Sequence, residues 1–302
     1  HKLAVDATDE YESTRDAVKE YINAAAREEI VFTSGTTGSI NLVAFSFGET
    51  FVNKGDEIIV SESEHHSNIV PWQMLCQRKG AVLRVLHVDE DGHLNLEELK
   101  SLLNPKTRIV AVTQISNVLG ILNPVKEIVS ICHSTGCPVL IDGAQGMVHE
   151  GVDVQDVDCD FYAFSGHKLY AATGTGVLYG KRKWLDQMVP YQGGGEMIAT
   201  VRFSGTTYAP LPEKFEAGTQ NINAIPTLEP AIEMLKLMKD KELLNAQEAV
   251  SQYLLHALTS NPRIRLYGVP RGTETKIPLF SFSVEGAHHE DLALILDKMG
   301  IA

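Results

Sequence analysis

Ser165-Gly-His-Lys168 closes an apolar and aromatic run, FYAFS, so a lysine stands directly after a strand-like segment. A lysine becomes a nucleophile when it is partly desolvated and meets a carbonyl compound with which it can condense. A serine three residues earlier can offer its hydroxyl to a phosphate. Alone, this tetrapeptide fits an exposed surface lysine better. Asp142, in Leu140-Ile-Asp-Gly-Ala-Gln145, also ends an apolar run. Such an acid could bind magnesium, touch a ribose hydroxyl or keep a pyridinium nitrogen protonated, the last role requiring poor solvation. Gln145 could then reach a phenolic oxygen on the same ring.

Thr33-Ser-Gly-Thr-Thr-Gly38 joins a strand-like run to a helical one. Glycines permit the turn, and hydroxyls with free helix N–H groups suit an anion. The segment is neither a GK[ST] loop nor GxGxxG, which argues against a nucleotide; an N-capped turn remains open. Glu64-His-His-Ser-Asn follows the next strand-like run, where a histidine could stack on a ring or move protons near neutrality, or be merely structural. Asn117, after another such run, offers an amide to a ring substituent or a substrate carboxylate.

The elements that must carry these residues alternate. Strands are expected at 29–34, 57–61, 81–88, 108–115, 138–142, 161–165 and 176–179, and helices at 36–52, 68–79, from Asn95 as N-cap, and at 124–135. That alternation implies an α/β fold, a mostly parallel sheet with helices on both faces, and ligands outside the carboxyl ends of its strands. Residues 228–259 read as helical. Strand-like runs at 263–267 and 278–284 and an amphipathic stretch at 288–299 resemble the start of a smaller α+β domain, dividing the chain into 1–260 and 261–302.

The 302 residues suffice for a large core, and 44% hydrophobic with 22% charged residues is ordinary for a globular protein. A net charge of −13 gives no basic footprint for nucleic acid or an anionic membrane. No apolar run is long enough to span a bilayer, and the first residues lack the layout of a secretion signal, so a cytoplasmic location is expected. Cys76, Cys132, Cys137 and Cys159 form no CxxC pair and no zinc spacing, which fits small buried hydrophobes in a reducing compartment.

Each motif is modest, but their order matches one cofactor. Together with Phe215-Glu-Ala-Gly-Thr-Gln220, they resemble the fold-type I, class V aminotransferase superfamily and, within it, the SufS-type (group II) cysteine desulfurases, also called selenocysteine lyases. The likeness runs from about Tyr11 to the last residue. It implies a seven-stranded-type sheet and pyridoxal 5'-phosphate (PLP), with Lys168 as the Schiff-base lysine. His65 would stack on the ring and shuttle protons, Asp142 would pair with the ring nitrogen, and Gln145 with the phenolic oxygen. Thr36, Thr37, Ser165 and His167 would hold the phosphate or its neighbours, and Asn117 would orient ring and substrate. Thr219 would reach the phosphate of a partner subunit, which implies a homodimer.

The implied reaction takes L-cysteine or L-selenocysteine to L-alanine and passes sulfur to an enzyme persulfide for iron–sulfur cluster assembly, with a SufE-like or SufU-like acceptor. The resemblance places the sulfur-accepting cysteine and the carboxylate-binding arginine beyond Ala302, and none of the four cysteines corresponds. The chain thus reads as truncated at both ends, with cofactor binding better supported than turnover. Gly38 departs from the acidic residue often found there. A kynureninase-like hydrolase or an epimerase would share the cofactor residues, although EHHSNIVPWQ favours the desulfurase branch. An inactive PLP-fold fragment is the other alternative, and a NAD enzyme lacks its glycine fingerprint.

Overall fold

A computed structural model describes residues 2–240, 245–271 and 276–301. The chain runs α1 (Lys2–Tyr21), β1 (Ile30–Thr33), α2 (Thr36–Phe51), β2 (Glu57–Ser61), α3 (Val70–Lys79), β3 (Val82–Leu86), α4 (Leu96–Leu102), β4 (Thr107–Thr113), α5 (Val125–His133), β5 (Val139–Asp142), α6 (Gly146–His149), α7 (Val154–Val157), β6 (Phe161–Ser165), β7 (Gly176–Gly180) and α8 (Arg182–Leu185). A hairpin of β8 (Ile198–Arg202) and β9 (Gly205–Tyr208) follows. Then come α9 (Leu228–Asp240), α10 (Asn245–Thr259), β10 (Ile264–Tyr267), β11 (Ser281–Val284) and α11 (His289–Lys298).

Seven strands form one sheet in the order β1-β7-β6-β5-β4-β2-β3. The pairings from β6 through β3 are parallel, while β7 runs antiparallel to both of its neighbours. The α/β architecture with a mostly parallel sheet is therefore as the sequence implies. In β4, Ile109 and Ala111 face one apolar cluster with α2 and α3, and Val110 and Val112 face the other with α1, α5 and α9. A strand covered on both faces needs apolar side chains at every position, which is why these segments read as unbroken runs. Burying each such side chain contributes roughly 1.5–3 kcal/mol.

Local signals set the helix ends. Asn95 accepts a hydrogen bond from Glu98 N at 3.0 Å, capping α4 as expected. The helical stretch expected from Asn68 instead opens with a 3-10 turn over His66–Asn68, and α3 starts at Val70 with Pro71 in its first turn. Proline has no N–H to lose there. Of the helical run 228–259, residues 241–244 lie outside the described residues.

Two elements were not anticipated. Helix α1 is rich in charge and buries only Tyr11, Thr14, Arg15 and Val18. The β8–β9 hairpin is almost wholly exposed, with Phe203 at its tip. β10 and β11 pair antiparallel as a separate two-stranded sheet. Among the described residues no helix is long and apolar enough to cross a membrane.

Candidate cofactor site

Strand register gathers the predicted residues along one edge of the sheet. Thr33 of β1 and Ser165 of β6 both pair with Gly176 at the start of β7. Asp142 of β5 lies between Thr113 of β4 and Ala163 of β6. Because β2, β4, β5 and β6 are parallel, their carboxyl ends all open at this edge, and antiparallel β7 brings the end of β1 there as well.

The threonine turn is locked by backbone proximity. Gly35 has φ +144°, which favours glycine, and a Cβ on Gly176 would fall 2.3 Å from the Gly35 Cα. Ser165 Oγ accepts a hydrogen bond from Thr36 N at 2.8 Å and shares another with Thr36 Oγ1 at 2.7 Å. Thr36 and Ser165, 129 residues apart, are thus in direct contact. The first-turn N–H groups of exposed Thr37 and of Gly38 have no carbonyl one turn back within α2 to accept them. Such a helix start attracts anions. A cavity of 370 Å³ borders the turn on the side of Phe215, Glu216 and Gln220; neither Lys168 nor Asp142 lines it.

Lys168 is half-buried in a 3-10 turn over Gly166–Leu169 and makes no ion pair among the described residues. Asp142 is 2% exposed. Its Oδ1 accepts from Ala144 N at 2.9 Å, and no donor of the described residues meets its Oδ2. Burial pushes its carboxyl up, while the Ala144 N–H and the charges of Lys168 and His65 oppose that rise. Both side chains therefore lie within electrostatic reach of this acid. Burial, with Lys168 nearby, pushes His149 down.

His65 is exposed and caps the 3-10 turn; its Nδ1 accepts from Ser67 N at 3.1 Å and lies 2.8 Å from Ser67 Oγ. An Nδ1 that accepts a backbone N–H leaves the proton of a neutral imidazole on Nε2. Gln145 is half-buried immediately before α6, and Asn117 is half-buried in a loop held by Ser116 Oγ, which accepts from Leu119 N at 3.1 Å. His167 and Thr219 are exposed. The side chains of Asn117, Gln145, His167 and Thr219 make no hydrogen bond among the described residues.

Three buried groups escaped the sequence reading. Glu64, 7% exposed, accepts from Ser61 Oγ, from Thr113 N at 2.8 Å and from Asn68 Nδ2 at 2.7 Å. Its place directly before His65 was the available signal. Tyr162 OH donates to Gln114 Oε1 at 2.5 Å beneath Gly143. Arg15 and Glu216 form a buried ion pair at 2.7 Å that joins α1 to the 215–220 motif.

The four cysteines are all buried, and burial pushes each thiol up, Cys132 to about 12. None is therefore a thiolate near neutral pH. Among the described residues no cluster of three His, Cys, Asp or Glu could hold a metal ion.

A phosphate-suited helix start, a half-buried lysine and a buried carboxylate with a free acceptor oxygen fit PLP. This α/β sheet edge defines a PLP-dependent enzyme of fold type I. The aminotransferase class-V family matches residues 1–302, and the chain belongs to that family. A cysteine desulfurase of Pectobacterium atrosepticum is 47% identical over 303 residues, covering 100% of this chain and 74% of that protein. Among solved structures, the cysteine desulfurase CsdA from Escherichia coli (S-sulfonic acid form) superposes with a TM-score of 0.89 at 40% identity, covering 99% of this chain and 74% of that one. The apo cysteine desulfurase from Thermococcus onnurineus NA1 gives 0.92 at 35% identity, covering 100% and 74%.

Proposed function

We propose that this chain carries the cofactor-binding core of a PLP-dependent cysteine desulfurase of the SufS type, acting on L-cysteine to give L-alanine. The observation that carries the reading is that buried Asp142 ends β5, that Lys168 follows the neighbouring β6 within electrostatic reach of it, and that the chain is 47% identical throughout to a cysteine desulfurase.

PLP, when bound, supplies an electron sink for the α-carbon of an amino acid. Lys168 would anchor it, and its free amine would take the substrate's α-proton. Asp142 Oδ2 would accept from the ring N–H and hold the proton there; its low solvation strengthens that bond. The α2 start, with Thr36 and Thr37, would bind the phosphate, while Ser165 Oγ steadies Thr36. His65 would stack on the ring and move a proton through Nε2, since Nδ1 is committed to Ser67. Gln145, Asn117 and His167 would complete the ring and phosphate contacts.

The same reading makes the enzyme a cytoplasmic homodimer, with Thr219 of one subunit reaching the phosphate of the other, and it hands sulfur to a SufE-like or SufU-like acceptor for iron–sulfur cluster assembly. The exposure of Thr219, on a segment anchored by Glu216, supports the first point. Incubating the full-length protein, including the sulfur-accepting cysteine that the reading requires, with PLP, L-cysteine and a reducing thiol tests the activity. Equimolar alanine and sulfide are expected; bound PLP with a product other than alanine refutes the desulfurase reading.

A further inference from the structure

Glu64 has no part in the chemistry above, yet it sits where the histidine turn meets the sheet. It follows β2 and immediately precedes His65, and its carboxyl reaches across to β4. Thr113 N donates to Oε1 at 2.8 Å, Asn68 Nδ2 donates to Oε2 at 2.7 Å, and Trp72 Nε1 donates to Asn68 Oδ1 at 2.9 Å. Asn68 and Trp72 are completely buried, so this chain fastens the 3-10 turn behind His65 into the core. Ser61 Oγ touches Oε1 and lies 3.0 Å from Ser63 Oγ.

The charges around Glu64 are one-sided. Asp142, from β5, is the charged group that faces it, and Lys168 and His65 face Asp142. Ser61 and Ser63 from β2 and its turn, Asn68 from the 3-10 turn, Trp72 from α3 and Thr113 from β4 are all neutral. Two anions buried side by side without a cation between them are unfavourable. Three donors around one carboxyl favour its ionised form, so the two effects oppose each other. The serines resolve the contest: a protonated Oε1 can donate a hydrogen bond to Ser61 Oγ, which donates its own to Ser63 Oγ, leaving every buried group paired. Desolvation then prevails, and Glu64 is pushed up to about 8.

We propose that Glu64 is a positioning residue that works as a neutral carboxylic acid, clamping the His65 turn to the end of β4 and leaving Asp142 as the carboxylate that meets the cofactor ring. The inference rests on the PLP reading above, and the test separates the two. Infrared spectra of the protein at pH 7 should contain a protonated-carboxyl carbonyl band that Glu64→Gln removes. Glutamine is also neutral, but its NH2 group must face either Thr113 N–H or Asn68 Nδ2 and cannot accept from it, so E64Q strands one buried donor and Glu64→Ala strands both, at about 1–3 kcal/mol each. PLP titration of the apoprotein, followed by fluorescence, should therefore give E64Q an affinity between wild type and E64A, with E64A weakened about tenfold or more. If E64A does not fold, the infrared band still decides. A spectrum unchanged by E64Q, or E64Q binding PLP more weakly than E64A, overturns the proposal. A wild-type protein that binds no PLP overturns the cofactor reading and this inference with it.

Discussion

Replacing Arg15 by methionine removes a charge from a buried, multiply hydrogen-bonded ion pair. The Arg15 and Glu216 side chains are 1% and 3% exposed. Arg15 Nη1 donates to Glu216 Oε1 and to Ile30 O, both at 2.7 Å, and Nη2 donates to Glu216 Oε2 at 3.0 Å. Its guanidinium also lies 4.5 Å from the Phe32 ring centroid. Glu216 in turn accepts from Phe32 N at 2.7 Å and from Tyr11 OH at 3.1 Å. Methionine keeps most of the apolar contact but leaves the Glu216 carboxylate buried with two neutral donors. Removing one partner of such a pair costs about 3–5 kcal/mol. A chain this long loses about 2 °C of melting temperature per kcal/mol, so Arg15→Met should melt ~6–10 °C lower. The double variant Arg15→Met/Glu216→Leu should recover most of that loss, because no unpaired charge remains. Calorimetry of all four proteins in the same buffer gives the cycle. A single-variant loss under 2 °C, or a double variant worse than both singles, refutes the reasoning.

Gly176→Ala places a methyl group 2.3 Å from the Gly35 Cα, backbone against backbone. It should destabilise the protein by about 1–3 kcal/mol and weaken PLP by displacing the threonine turn, both readable by melting and cofactor titration. Glu64 also predicts a pH dependence of stability. Its carboxyl ionises near 4.5 in the unfolded chain and near 8 in the folded one. The folded state alone holds the proton between those values, so this group's stabilisation is full below pH 4.5 and is lost as pH rises through 8. Asp142, also pushed up, acts with the same sign. Melting temperatures between pH 5 and 8 should therefore fall less steeply in Glu64→Gln than in wild type.

Much of this was legible in the residues. Strand β2, EIIVS, and helix α2 from Thr36 are announced by apolar run length and by the turn residues before them. The placement of the candidate residues near one another was legible too, because their motifs end strands and a mostly parallel sheet brings those ends to one edge. What escaped has a common physical cause. Helix α1 is anchored through Arg15 and a glutamate 201 residues away, a pairing that no local periodicity encodes. Glu64 looks like a solvated acid in EHHS, since only the fold reveals that β4 closes over it. The β8–β9 hairpin has no buried face and hence no alternation of burial to detect.

The central claim is that Lys168 anchors PLP opposite Asp142. Loading the protein with PLP, reducing it with borohydride and mapping the modified peptide by mass spectrometry tests this most directly. The account predicts one phosphopyridoxyl group per chain, on Lys168, and none in Lys168→Ala. A label on another lysine, or one that persists in Lys168→Ala, would contradict it.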